Sequence, residues 1–314
     1  MKNFFFKKVL FVGVIGFLSV GMVAQISISN VAMLSKVKEG TTYLAMKDPT
    51  NAASKVYVAA AEKHWTFSKL VCISYKEVEQ HIAPNASFIT IGGSMSDRNN
   101  SAANAETRVY LEFWTTNGTF LYDPTKRRHF DLNDKIVLAT AELFPDYLLQ
   151  ANPSLLYKFD YDFRGHLKNW NEGTFANQLQ QLCKMLEDGN PRTYKDEFRD
   201  DVQLQMMASS TLYLPDYIFT KFEKNSGNEK EKLDEKALLK DYPYSYKVVL
   251  ETELIRTIND IESNIYYLSL IKSGTNRFIT ITNSKTGSLL YSSFVTNTST
   301  LKASDFKVLA KAID

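Results

Sequence analysis

The sequence predicts an α/β protein with mixed sheets, built from two tandem, diverged β-α-β-α-β-β-β-α units joined by a mainly helical connector. Short strand-like runs alternate with helical stretches, hairpin signals follow the third strand of each half, and the order of elements recurs along the chain. The predicted boundaries are 1–24 for a leader, 25–144 for the first unit, 145–200 for the connector and 201–314 for the second unit.

The leader is typical of a secretory signal peptide. It begins with a basic stretch that contains Lys2, Lys7 and Lys8. The uncharged, mostly apolar run at 9–24 is shorter than the roughly 20 residues that a membrane span needs. We expect cleavage after Ala24, before Gln25. The alternatives are a cut after Gly21 and an uncleaved N-terminal membrane anchor.

The same features recur in the same order in both halves. In the first half they are an apolar lead-in at 32–34, a strand at 42–44, a helix at 52–64, an aromatic-led strand at 65–71, a short helix at 76–82 and a strand at 88–91. In the second half the corresponding stretches are 204–207, 212–214, 232–240, 242–249, 253–261 and 267–270. We interpret this series as an internal duplication.

Each unit is expected to close with a hairpin and a helix. The first hairpin joins 109–114 to 120–122 through Asn117-Gly118, a strong turn signal, and the second joins 278–281 to 289–291 through 283–287. An Asp-x-x-Val-Leu-Ala-x-Ala pattern then predicts closing helices at 134–141 and 305–312. In the connector, helical periodicity predicts a helix at 175–186 that ends before Gly189.

Strands joined through helices should pair in parallel by right-handed crossovers, and each hairpin should add antiparallel strands at one edge. The hairpin at 279–290, with Thr286-Gly287 at its turn, resembles that of the curli-secretion lipoprotein, the lipoprotein activators of penicillin-binding proteins and the N-terminal domain of TolB. The chain also resembles uncharacterised exported two-repeat proteins of Gram-negative bacteria. The resemblance implies a role in the cell envelope through protein contacts.

One candidate ligand site follows the third strand. Gly92, Gly93 and Ser94 are expected to form a loop at the carboxyl end of that strand, where open α/β sheets bind ligands and backbone amides can hold an anion. No glycine-rich nucleotide motif accompanies them, and a plain connecting loop is the alternative interpretation.

Other reactive residues lack a recognisable spacing. The chain has four histidines, at 64, 81, 129 and 166, without the spacing of a zinc site. A carboxylate or calcium site at Asp146, Asp160 and Asp162 is one interpretation, but only the alternation of Asp160 and Asp162 supports it, and an exposed strand face is favoured. Cys72 and Cys183 lie in apolar stretches, which favours buried free thiols, although export would permit a disulfide. We therefore predict neither a metal site nor a cofactor.

The charge balance of the chain argues against one class of partner, nucleic acid. Without the leader, the chain would carry 34 basic and 35 acidic residues, a balance that gives no electrostatic basis for binding nucleic acid. The sequence thus predicts an exported protein, periplasmic or extracellular, that binds another envelope protein rather than catalysing a reaction. The alternative is a small-molecule binder or hydrolase-like enzyme with its site in the cleft between the two units.

Overall fold

The computed structural model describes residues 25–97, 105–118, 134–193, 195, 197–222, 229–260, 262–274 and 276–314. They form a mixed α/β structure with two separate sheets. The strands of the first sheet are β1 Ile26–Ile28, β2 Thr41–Met46, β3 Lys69–Ser74, β4 Ser87–Asp97, β5 Ala105–Thr116, β6 Lys135–Pro145 and β7 Leu167–Lys168. The helices of this half are α1 Leu34–Lys38, α2 Ala52–His64, α3 Tyr147–Ala151 and α4 Glu172–Asp188, with 3₁₀ turns at Val31–Met33, Tyr75–His81, Pro153–Tyr157 and Phe163–Gly165.

The second half contains a second sheet and a short ribbon. Its strands are β8 Phe198–Arg199, β9 Leu212–Pro215, β10 Thr220–Phe222, β11 Glu229–Lys232, β12 Tyr246–Val249, β13 Tyr266–Ser273, β14 Asn276–Asn283 and β15 Leu289–Val295. Its helices are α5 Asp201–Met207, α6 Glu235–Leu239, α7 Glu251–Asn259 and α8 Ala303–Ile313, with a 3₁₀ turn at Asp216–Phe219. Strands β10 and β11 pair only with each other, as an antiparallel ribbon.

The two sheets share one strand order. It is β3-β2-β4-β5-β6-β1 in the first sheet and β12-β9-β13-β14-β15-β8 in the second, and β7 also pairs with β6. In each sheet the three strands joined through helical segments are parallel, and the remaining pairs are antiparallel. The predicted parallel crossovers and antiparallel edge are therefore both present.

A β-bulge occurs at the same point of both sheets. In the first it follows Phe113 of β5, and in the second it follows Ile281 of β14. The extra residue in the facing strand is Leu138 in β6 and Leu290 in β15, and both are fully buried. The carbonyl of each leucine also accepts a backbone hydrogen bond from the residue after the edge strand, at 2.8 Å from Ser29 and 2.9 Å from Asp200.

The predicted helix at 134–141 is wrong, because these residues form most of β6. The strand lies between β5 and β1 and is buried on both faces at its centre, so its apolar positions run almost continuously and mimic one side of a helix. The hairpin strand predicted at 120–122 lies outside the described residues. The matching prediction in the second half is confirmed, since α8 covers 303–313.

Two helix predictions are confirmed at their ends. Helix α2 begins at Ala52, where the Asn51 side chain accepts from the Ala53 amide at 2.8 Å, and ends at His64 as expected. Helix α4 ends at Asp188, just before Gly189, whose φ of 63° favours glycine. The apolar stripe of α4 packs into the core of the first sheet, and α8 packs in the same way against the second.

Candidate functional site

The two sheets meet at a buried, polar junction. Strand β6 of the first sheet packs against β13 of the second, and helix α4 lies beside this contact. The apolar stripe of α4 faces the first core, through Phe175, Leu179, Leu182 and Leu186. Its polar side, which includes Asn177 and Gln181, faces the second sheet. One helix thus connects both halves of the chain.

Asn177 is the central polar residue of the helix contact. Its side-chain nitrogen donates to the Ser284 carbonyl at 2.9 Å, and its oxygen accepts from the Tyr267 hydroxyl at 3.0 Å. Gln181 adds a 3.3 Å bond to the Thr282 hydroxyl. Because buried amides and hydroxyls need partners, these bonds define how α4 sits on the second sheet.

Two glycines let neighbouring segments approach α4 closely. A Cβ on Gly173 would lie 2.7 Å from Ile258 of α7, and a Cβ on Gly287, which has a φ of 67°, would lie 2.8 Å from the Gln180 Cβ. Larger residues at either position would push the second half away from the helix. The close fit of the junction therefore depends on these two positions.

A charged cluster lies where β6 meets β13. The Glu142 carboxylate accepts from the Arg108 guanidinium through Oε1 and from the Ser273 hydroxyl through Oε2, the latter at 2.8 Å. Arg108 Nε also donates to the Ser273 Oγ at 3.3 Å. The Glu142 side chain is 2% exposed, whereas the Arg108 side chain is 33% exposed. The cluster joins β5 and β6 of the first sheet to the last residue of β13.

Burial raises the pKa of the Glu142 carboxyl above its ordinary value, because a carboxylate loses its hydration in this position. The positive charge of Arg108 and the Ser273 hydroxyl act in the opposite direction and offset only part of the effect. A buried carboxyl with a perturbed pKa at the junction of two sheets is a candidate functional group on physical grounds.

This pKa shift predicts a pH effect on stability. A carboxyl with a raised pKa in the folded state binds its proton more tightly there, so the free energy of unfolding should fall as pH rises above 4.5, the ordinary value for this group. The variant Glu142→Gln should lack that part of the decline. Urea unfolding of both proteins at pH values between roughly 4 and 7 measures it. If the free energy of unfolding changed with pH in the same way in both proteins, the raised pKa of Glu142 would be contradicted.

A small cavity adjoins the cluster. Six residues that form much of its polar lining are Gln25, Glu142, Asn177, Gln181, Ser269 and Thr280. The empty volume of the cavity is about 400 Å³ when the solvent at its open mouth is included. The centre of a water molecule fits within only about 20 Å³ of this volume. The smaller figure decides what fits, because one ordered water requires roughly 10–15 Å³ on that measure. The cavity is therefore large enough and polar enough to hold ordered water.

The structure places the predicted ligand residues within a strand. Gly92, Gly93 and Ser94 belong to β4 and pair with Tyr110, Val109 and Arg108 of β5, in that order. The predicted loop is therefore wrong, since the hairpin strands extend further than the sequence indicated. Ser94 nevertheless stands opposite Arg108, whose guanidinium reaches the Glu142 cluster.

Each described histidine has its own local surroundings. Burial lowers the pKa of His64. His81 stacks on Tyr43 at 4.5 Å, and His166 Nδ1 is 2.6 Å from the Asp146 carboxylate. His129 lies outside the described residues. Within the described ranges, no group of three or more His, Cys, Asp or Glu residues could hold a metal ion.

The acidic residues and cysteines have separate local roles. Asp160 forms an ion pair with Lys47 at 3.2 Å, and Asp162 accepts from the Arg164 amide at 3.0 Å. Cys72 and Cys183 are free thiols, so the open question of a disulfide between them is answered in the negative. Burial raises the pKa of Cys72 to about 11, which keeps this thiol protonated and unreactive near neutral pH.

Sequence reasoning did not single out the residues that meet at the junction. Glu142 directly follows the helix predicted at 134–141, and Arg108 and Ser273 lie outside the strands predicted at 109–114 and 267–270. The one available signal was a lone glutamate inside a long apolar run at 136–144, a position that requires a buried partner. The partner itself comes from other strands and has no fixed spacing from Glu142.

No known protein family matches the chain, and neither a curated protein nor a solved structure is similar to it at a significant level. Within the described part of the chain, none of the helices has both the length and the apolar composition required to cross a bilayer.

Proposed function

We propose that the protein is exported to the periplasm or the extracellular space, where it binds another envelope protein. The basic start and apolar run of the leader support export. The observation that carries the binding proposal is an exposed apolar pair on one helix. Val202 and Met206, one turn apart on α5, are 69% and 57% exposed.

We further propose that the chain contains two copies of one β/α unit. The shared strand order supports this, as do the bulges at Leu138 and Leu290 with their equivalent hydrogen bonds. The burial classes of 33–40 and 203–210 are also identical, residue by residue. In this scheme α4, which covers the first core as α8 covers the second, is the closing helix of the first copy.

A comparison of the copies supports the binding surface. In the matched burial pattern, Met206 stands where the first copy has Lys36. Both positions are exposed, so core packing explains neither residue. An apolar side chain on a solvated helix face of one copy alone favours a contact with a partner at that face.

The experiment has two readouts. Expression of the full chain in a Gram-negative host, followed by fractionation, tests export, and retention in the cytoplasm would overturn it. Cross-linking of the exported protein in intact cells tests binding. We expect a cross-linked partner that is lost in Val202→Ser/Met206→Ser. The control Asp201→Ser/Gln205→Ser changes two exposed positions on the same helix and should retain the partner. Loss in both variants, or in neither, would contradict the proposed surface.

A further inference from the structure

Strand β3 forms an open edge of the first sheet. Among the described strands it pairs only with β2, over the six residues Lys69–Ser74. The opposite edge is covered, because Ile28 of β1 exchanges backbone hydrogen bonds of 2.8 and 2.9 Å with Arg192. One side of β3 therefore presents backbone N–H and C=O groups that the described sheet does not use, and a further strand can pair with them.

The side chains of β3 give this edge little protection. Lys69, its one charged residue, stands at the first position, and the stretch from Leu70 to Ser74 is uncharged. Leu70, Val71 and Cys72 are each partly exposed. Natural sheets protect an open edge with charged side chains, proline or a bulge. After Lys69, β3 has no charge and no proline, and its register with β2 is regular.

The equivalent strand of the second sheet is protected. Strand β12 has the same place in the shared strand order as β3, and its Lys247 pairs with Tyr213 of β9. In the first sheet, Val71 pairs with Tyr43 of β2 in the same way. The Lys247 side chain is 52% exposed and lies 2.9 Å from Glu253. A lysine on an edge strand keeps other strands away, so the first sheet lacks a protection that the second sheet has.

Helix α2 carries complementary charges beside this edge. Lys55 and Glu62 are exposed and lie seven residues apart, which is two helical turns, so they share one face. Burial raises the pKa of Cys72, and the nearby charge of Glu62 adds to the rise, which places this face of α2 beside β3. In a second copy related by a two-fold axis, α2 would run antiparallel to the first. Lys55 of each copy would then lie toward Glu62 of the other.

We propose that β3 pairs with β3 of a second copy of this chain, antiparallel and across a two-fold axis, so that the first sheets of both copies form one continuous sheet. The stretch from Leu70 to Ser74 then faces itself, and because it is uncharged the pairing brings no like charges together. A contact of this kind closes as a dimer. One strand pair with a flanking helix pair is a small interface, so the dimer is weak and reversible. The inference depends neither on export nor on the surface at α5.

Sedimentation of the purified protein at concentrations from about 1 µM to 1 mM tests the dimer. We expect a reversible dimer that Val71→Lys weakens at least about tenfold, because the variant gives β3 the charge that protects β12. Its melting temperature checks that the variant is folded. The matched control Val71→Thr keeps a branched, uncharged side chain and should retain the dimer. A protein that stays monomeric throughout, or a dimer that Val71→Lys leaves unchanged, would overturn the proposal.

A charge exchange on α2 tests the same arrangement without changing β3. Lys55→Glu should weaken the dimer, because Glu62 of the other copy would then face a like charge, and Lys55→Glu/Glu62→Lys should restore it. Both positions are exposed, so the fold should tolerate these changes. A double variant that dimerises no better than Lys55→Glu would overturn the two-fold arrangement. Dissociation by Val202→Ser/Met206→Ser in place of Val71→Lys would also overturn it, since the contact would then lie at α5.

Discussion

Replacing Arg277 with methionine should lower the free energy of unfolding by about 3–5 kcal/mol. Arg277 is 1% exposed and binds both carboxylate oxygens of Asp305 on α8, at 2.6 and 2.7 Å. It also donates to the Thr298 hydroxyl at 3.0 Å and to the Thr300 carbonyl. Without the guanidinium, Asp305 and the loop before α8 lose their shared partner. Denaturant unfolding measures the loss.

The control for Arg277→Met is an exposed ion pair between strand β12 of the same sheet and helix α7. Lys247 and Glu253 are 2.9 Å apart, with side chains that are 52% and 46% exposed. We expect Lys247→Met to lower the free energy of unfolding far less than Arg277→Met does, because water screens this pair. In addition, the double variant Arg277→Met/Asp305→Asn should lose less free energy of unfolding than the sum of the losses in the two single variants. Similar losses for Arg277→Met and Lys247→Met would contradict the importance of the buried pair.

Leu138→Ala and Leu290→Ala should each lower the free energy of unfolding by about 2–5 kcal/mol. Each leucine is the extra residue of a bulge and is fully buried, so truncation leaves a cavity that the surrounding strands fill only in part. If the two units descend from one ancestor, both substitutions remove the same contact in the same fold. Urea unfolding of the two variants measures the two losses.

An exposed aliphatic side chain provides the comparison for these leucines. Val202 is 69% exposed, and Val202→Ala should change stability by no more than about 0.5 kcal/mol. A large loss for Leu138→Ala together with a small one for Leu290→Ala would show that the bulges are not equivalent. That result would remove the main physical support for the duplication.

Local signals were sufficient for several elements of the fold. Helix α2 and the end of α4 at Gly189 were predicted because helical periodicity and a stop residue are properties of adjacent positions. The parallel crossovers followed from the alternation of helices and strands. Strand β6 was missed because short apolar runs fit a helix and a buried strand equally well, and only its neighbours β5 and β1 decide between them.

The sequence by itself determined the mixed α/β class and the alternation of elements in both halves, because each depends on residues that are close along the chain. Only the tertiary structure decided that α4 covers the first core and that Glu142, Arg108 and Ser273 meet at the junction. Their partners lie on strands far apart in sequence. Burial and hydrogen-bond geometry, which no local pattern records, bring them together.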